Sequence, residues 1–172
     1  TPIHQSKDYA MERWLENVSR LEYPADLLLV DNSPDSSYTE KLTGYCAKFR
    51  IKNYQIYHFD INQQLGPDIR IEMSQEIIRQ YMLSHDYDAW FSWECDQIIP
   101  FDALDKLVGM MNTGGFSMVN HNGWVRGHPN QTNTNFGISL LKREFLASYS
   151  FLLQFVFNSN MPEVLEPGEI WI

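Results

Sequence analysis

The sequence predicts a layered α/β domain with a mainly parallel central sheet flanked by helices. Short, uniformly apolar runs such as Leu27-Leu28-Leu29-Val30 have the composition of strands buried on both faces. Amphipathic stretches with helical spacing lie between such runs. The two kinds alternate through most of the chain, which is how parallel strands are joined. Ligands in sheets of this type bind beyond the carboxyl ends of the strands. The residues that follow each strand are therefore the ones to read for function.

At 172 residues the chain fits one domain with a core of its own, and 44% hydrophobic residues place it well clear of disorder. No apolar run approaches the ~20 residues that span a bilayer, and no secretory segment is evident. A net charge of −9 argues against non-specific nucleic-acid binding. The same field repels any phosphate-bearing ligand unless a bound cation stands between protein acids and phosphates. Cys46 and Cys95 make neither a disulfide framework nor a zinc-spaced cluster, and they fit a reducing, cytoplasmic compartment. Asn17-Val18-Ser19 and Asn130-Gln131-Thr132 match the N-glycosylation pattern, a match common by chance.

Thr1-Pro2-Ile3-His4 reads as the exit from a strand. Met11, Trp14, Leu15, Val18 and Leu21 then mark an amphipathic helix that Pro24 ends. Leu27 to Val30 is a buried strand running into Asp31-Asn32-Ser33-Pro34-Asp35-Ser36, a loop of turn formers. Ser37 and Glu40 have capping-box spacing at the head of a helix through Leu42, Tyr45, Cys46 and Phe49. Tyr54 to Phe59 is the next strand. Gly66-Pro67 opens a helix with Ile69, Met73, Ile77 and Tyr81 as its apolar face. Tyr87 to Trp93 is an aromatic strand that stops at Glu94-Cys95-Asp96, with Pro100 blocking further pairing. A helix through Leu104, Leu107, Val108 and Met111 ends at Gly114-Gly115, and Phe116 to Val119 resumes a strand. Asn120 to Asn135 has no period and reads as a long functional loop. Ile138 to Leu141 is a strand, a helix is expected from about Lys142 to Phe157, and Met161 to Gly168 reads as irregular.

Asp31, Asp60, Glu94 and Asn120 each follow an expected strand and should gather along one rim. Glu94 and Asp96 lie two apart, so in extended backbone both side chains point one way and could hold a divalent cation in front of a polyphosphate. The competing reading is a solvated turn acid beside a capping neighbour. Asp31 and Asn32 could read a nucleoside base or ribose, or could close a turn on their own backbone. Arg70 could grip a phosphate or lie on the surface. Glu166 and Glu169 could supply a general base or be solvated loop acids. His121, Trp124, Arg126 and His128 suit a substrate-facing loop better than a zinc site. Cys95 reads as a packed small residue rather than a nucleophile.

Taken together, these landmarks resemble the glycosyltransferases of the GT-A fold, particularly the family 2 type that uses nucleotide-sugar donors. Leu29 to Ser33 resembles the family's nucleotide-binding strand end, and Ile69-Arg70 its Ala-Arg-Asn element. Glu94-Cys95-Asp96 resembles the Asp-X-Asp motif, Asn135 to Arg143 the segment on the acceptor side, and Pro167 to Trp171 the segment bearing the catalytic base. The chain departs from the pattern with Glu94 as the first acid and Ile71 after Arg70, and the family's first strand would precede Thr1. The resemblance covers nearly the whole chain in the family's order and implies one GT-A-like, Rossmann-type domain over 1–172. It implies an enzyme moving a sugar from a nucleoside-diphosphate donor to a glycan, lipid or protein acceptor, with inversion. Asp31, Asn32, Arg70 and Glu94 would then bind the nucleotide, Asp96 with Glu94 would hold Mn²⁺ or Mg²⁺, and Glu169 would be the base. A nucleotidyltransferase and a non-catalytic nucleotide- or sugar-binding module are the alternatives. The first would need a glycine- and lysine-rich phosphate loop that Thr1 to Asp8 lacks.

Overall fold

The computed structural model describes residues 1–125, 128–152, 154–158 and 161–166, with side chains described over 1–121 and 136–152. Strand β1 (Pro2–Ile3) leads through a tight turn at Gln5–Lys7 into helix α1 (Asp8–Val18). Strand β2 (Leu27–Asp31), helix α2 (Ser37–Lys48), strand β3 (Tyr54–His58) and helix α3 (Pro67–Ser84) follow. The strands form a parallel sheet in the order β1-β2-β3, with Ile3 opposite Asp31 and Asp31 opposite His58. Because all three run the same way, His4, Asn32 and Phe59 leave the sheet at one edge.

Strand β4 (Ala89–Trp93) and helix α4 (Ala103–Gly114) come next, then strands β5 (Met118–Val125) and β6 (His128–Lys142). These strands make an antiparallel sheet in the order β4-β6-β5 beside the parallel one. A short helix α5 (Arg143–Ala147) and the antiparallel pair β7 (Gln154–Asn158) and β8 (Met161–Glu166) close the described part. Thr1 joins the two sheets: its nitrogen donates to the Leu28 carbonyl and its Oγ1 to the Trp93 carbonyl at 2.6 Å.

Side-chain alternation along the strands builds a layer on each face. Leu29 and Trp93 pack with Met11, Trp14 and Leu15 of α1 and with Leu42 and Cys46 of α2. Val30 and Trp90 point the other way, into Ile78 and Met82 of α3 and Leu141, Leu146 and Phe151. There Trp90, Phe136 and Phe151 meet edge to face, with centroids 5.3–5.6 Å apart, the arrangement that ring quadrupoles favour. Helix α4 covers β5 and β6 through Leu104, Leu107 and Met111. It ends where Gly115 takes φ +62°, a left-handed conformation glycine adopts at little cost, and Phe116 N–H returns to the Met111 carbonyl.

Several expectations need correction. Within the stretch read as a loop, residues 120–125 and 128–135 are the paired ends of β5 and β6, with register shifts between Asn120 and Asn122 and between Trp124 and Val125. Cross-strand backbone pairing forms there without an apolar period, and the shifts accommodate irregular spacing. Asn120 accordingly lies within β5 rather than after it. The helix expected to Phe157 stops at Ala147, and the β-formers Phe155 and Val156 pair with β8, which occupies much of the stretch read as irregular. Helix α2 has no capping box; Asp35 Oδ1 accepts from Ser37 N–H instead. The apolar stripe of α3 is only half-buried, and its deepest face carries Glu72, Ser74, Gln75 and Glu76 beside Ile78 and Met82. Glu76 is held by Arg79, Gln80, Ser150 and the Phe151 N–H. Asn17 is buried and trades two hydrogen bonds with the backbone of Ile99, so it is no glycan acceptor in the folded chain.

The Arg143 guanidinium donates to the carbonyls of Met82 and Leu83 at 2.6 Å each, and also to that of His85. It thereby satisfies carbonyls that the end of α3 leaves without helical partners. Arg143→Ala should lower stability by about 1.5–3 kcal/mol. Urea unfolding would show this as a lower midpoint at unchanged slope; an unmoved midpoint would mean water serves those carbonyls equally well.

Candidate active site

The rim at the ends of β1, β2 and β3 carries a connected polar cluster. Asp31 is fully buried; its Oδ1 accepts from Ser33 N–H at 3.1 Å and Ser33 Oγ at 2.5 Å, and its Oδ2 meets His58 Nδ1 at 3.0 Å. Asp31 thus closes a turn on Ser33, with both oxygens engaged inside the protein. Asn32, equally enclosed, donates to Ser74 Oγ at 3.0 Å, and its carbonyl accepts from Gln63 Nε2 at 2.9 Å. These contacts fix the end of β2 against α3.

Arg70 comes to the same place from α3. Its Nη1 bonds Gln63 Oε1 and lies 3.4 Å from His4 Nε2, while His4 Nε2 is 3.3 Å from Gln63 Oε1. The Arg70 Nε is buried without a hydrogen-bond partner among the described residues. Burial is the main force lowering the His4 pKa, partly countered by its bond to Gln63 and reinforced by the Arg70 charge.

Glu94 and Asp96 follow β4, but the backbone turns there, with Gln97 N–H returning to the Glu94 carbonyl at 3.2 Å, so the extended geometry expected to point both side chains one way is not kept. Glu94 is exposed, its backbone N–H bonds the Gly137 carbonyl at 2.8 Å, and its Oε2 accepts from Gln97 Nε2 at 2.8 Å. The Asp96 side chain, 14% exposed, forms an ion pair with Lys7, and Tyr9 Oη donates to the same Oδ2 at 3.3 Å. Burial works to raise the Asp96 pKa, but the Lys7 hydrogen bond and charge outweigh it and the net shift is downward. Lys7 is shifted upward, chiefly by its bond to Asp96. Burial pushes the Cys95 thiol up to about 11, which fits a packed residue rather than a nucleophile.

The two groups of residues are linked. Gln5 N–H donates to Ser33 Oγ at 2.8 Å, so the turn that carries Lys7 to Asp96 is tied to the serine that binds Asp31. Arg70, Asp31 and Asn32 thus share one cluster, and Lys7 connects it to Asp96. Lys7, Tyr9, His4, His58 and Gln63 were not singled out from the sequence. The available signal was positional, since His4 and His58 stand at strand ends and Lys7 lies in the turn after β1. Glu169 lies outside the described residues, as does Arg126; Glu166 ends β8, and its side chain, like those of Trp124 and His128, is outside the described set. His121 is exposed on β5.

Among the described residues no group of three or more His, Cys, Asp or Glu could hold a metal ion. Mg²⁺-type sites commonly use one or two carboxylates and take their remaining ligands from water and substrate phosphates. Here Asp96 is engaged by Lys7 and Glu94 by Gln97, so a site of that kind would need Asp96 released from its ion pair. A separate cleft of about 1130 Å³ runs between β2 and β4, lined by Leu28, Ile78, Trp90 and Phe91 among others. None of Asp31, Arg70, Glu94 and Asp96 lines it, so the chemistry-bearing residues belong to the rim.

The folded-state pKa of Asp96 lies below its ordinary value of 3.8, so the ion pair stabilises the fold above that value and is lost as pH falls through the lower one. Lys7 is 42% exposed, so solvent screening keeps the contribution to about 1 kcal/mol or less. Lys7→Met should raise the Asp96 pKa and shift the acid limb of the stability curve to higher pH. Carboxyl titration by NMR would reveal this, and an unchanged Asp96 pKa would contradict the pairing.

No protein-family model matches the chain. No curated protein matches it in sequence. Two structures of TarS from S. aureus match in three dimensions. One aligns with TM-score 0.61 at 10% identity, over 89% of this chain and 29% of TarS. The other, of TarS residues 1–349, aligns with TM-score 0.60 at 13% identity, over 89% of this chain and 48% of that one. The chain thus spans less than half the length of either. No helix among the described residues is long and apolar enough to cross a membrane. At these identities the likeness speaks to the fold alone, which is glycosyltransferase-like.

Proposed function

We propose that this protein is a glycosyltransferase that moves a sugar from a nucleoside-diphosphate donor to an acceptor hydroxyl, with a divalent cation and with inversion. The observation that supports it most is the convergence, on one rim of this fold, of Arg70, His4 and Gln63 with the Lys7–Asp96 pair. A diphosphate needs positive charge on one side and a cation held by carboxylates on the other, and the rim offers both kinds of group.

Asp31 contributes to the nucleoside side by holding His58 in place, and Asn32 by anchoring the strand end to α3. Arg70 faces the phosphates, where its guanidinium can bind two oxygens at once. Asp96, with or without Glu94, would hold Mn²⁺ or Mg²⁺, and the ion would supply Lewis-acid stabilisation of the charge that builds on the leaving diphosphate. Glu169 is assigned as the base that accepts the acceptor's proton as its oxygen forms the bond to the anomeric carbon and the diphosphate departs from the opposite face. Inversion and the role of Glu169 rest on the family resemblance. The Lys7–Asp96 pairing gives some weight to a second reading, a binding module without turnover, because it occupies the carboxylate a metal needs.

Incubation with Mn²⁺ and a panel of nucleoside-diphospho-sugars, with released nucleoside diphosphate as readout, tests the proposal. Asp96→Asn should reduce turnover about a hundredfold or more, the loss of several kcal/mol of charge stabilisation, while circular dichroism stays unchanged. Activity that survives in Asp96→Asn at saturating Mn²⁺ would remove Asp96 from the reaction. Binding of a nucleotide-sugar with neither hydrolysis nor transfer would establish the module.

A further inference from the structure

The feature that the reaction leaves unexplained is Lys7. It stands on a turn built with unusual attention: His4 Nδ1 accepts from Ser6 N–H at 3.1 Å, Lys7 N–H returns to the His4 carbonyl at 2.8 Å, and Gln5 N–H is held by Ser33 Oγ at 2.8 Å. The residue that opens this turn, His4, touches Arg70 and Gln63, and the residue that closes it, Lys7, binds Asp96. One short, internally bonded segment therefore contacts both the proposed phosphate-binding arginine and the proposed metal-binding carboxylate.

Resting on the sugar-transfer reading, we propose that Lys7 is a resident cation that holds Asp96 until a nucleoside diphosphate arrives. The incoming phosphates attract the Lys7 ammonium away, and the freed carboxylate then takes the divalent ion. The exchange is a matter of charge. With Lys7 in place, a divalent ion at Asp96 must enter beside an ammonium that already neutralises the carboxylate. Once phosphate oxygens offer Lys7 a second partner, the repulsion is relieved and Asp96 would be free to hold the ion. Half-exposed Lys7 is free to make this move: a flexible side chain can swing while its backbone stays fixed by the turn. Tyr9 Oη remains on the Asp96 Oδ2 side as a neutral donor and does not oppose a cation.

The consequence is coupling between two ligands. A metal and a nucleoside diphosphate that assist one another must do so reciprocally, and coupling of this kind commonly amounts to about 5–150-fold in affinity. With Lys7 removed, the metal has no resident competitor, so it should bind Asp96 directly and the mutual assistance should shrink.

The test is Mn²⁺ binding, followed by the electron-spin resonance of the free ion, in the absence and presence of UDP and GDP, for the intact chain, Lys7→Met and Lys7→Arg. In the intact chain the nucleotide should tighten Mn²⁺ binding about tenfold or more. Lys7→Met should bind Mn²⁺ alone about tenfold more tightly than the intact chain and show a smaller nucleotide effect, whereas Lys7→Arg, which keeps the charge, should behave as the parent. Thermal unfolding of each variant checks that the fold is kept. Equal Mn²⁺ affinity in the intact chain and Lys7→Met would overturn the proposal. Weaker Mn²⁺ binding in Lys7→Met would overturn it too, making Lys7 a supporter of the metal rather than its competitor. Failure of the sugar-transfer reading looks different: Mn²⁺ binding, with and without nucleotide, would then be the same in Asp96→Asn as in the intact chain.

Discussion

The pairing of two residues, Pro2 and Ile3, with Val30 and Asp31 determines where the chemistry of this protein can be. Parallel pairing brings the end of β1 level with the end of β2, and β3 in turn ends level with both. The turn after Ile3 is thereby delivered to the rim, and with it come His4, against Arg70, and Lys7, against Asp96. The hydrogen bond from Asn32 N–H to the Ile3 carbonyl at 3.0 Å locks this register at its last rung. A register shift of one residue would turn each of these side chains to the opposite face.

The polar groups of the rim are held by apolar packing beneath them. Leu29 and Trp93 on one face, and Val30 and Trp90 on the other, anchor the strands from which Asp31 and Glu94 emerge. Asn17 secures the segment after the acids by imitating a peptide toward Ile99, with bonds of 2.9 and 3.0 Å. Buried polar bonds of this kind are costly to leave half-made, so helix α1 and the Ile99 backbone are obliged to stay together.

Alternation of apolar runs and amphipathic helices was readable because each element carries its own period. The strand-end placement of Asp31 and Glu94 followed from it, and the packed character of Cys95 was readable from its neighbours, none of which is a His or Lys. What could not be read were contacts between residues distant in the chain. Lys7 and Asp96 are 89 positions apart, and Asp31 and His58 are 27 apart. No local pattern announces either pair. The antiparallel ends of β5 and β6 were missed for another reason: their residues are polar, and the backbone pairing that makes them strands leaves no trace in hydropathy. The buried Glu72, Gln75 and Glu76 of α3 misled the helical period in the same way, because carboxylates and amides score as surface when a neighbour such as the Phe151 N–H satisfies them inside.

Gly137 on β6 carries one more implication. A methyl group there would come within 2.5 Å of Gln97 Nε2 and 2.8 Å of Glu94 Cδ, both of them ends of flexible side chains. Such a substitution would leave the strand where it is and swing those two ends outward. The posture of Glu94 is thus governed from the antiparallel sheet, while Asp96 answers to the turn after β1. Neighbouring acids on one short segment are steered by separate parts of the molecule, and evolution can retune either without disturbing the other.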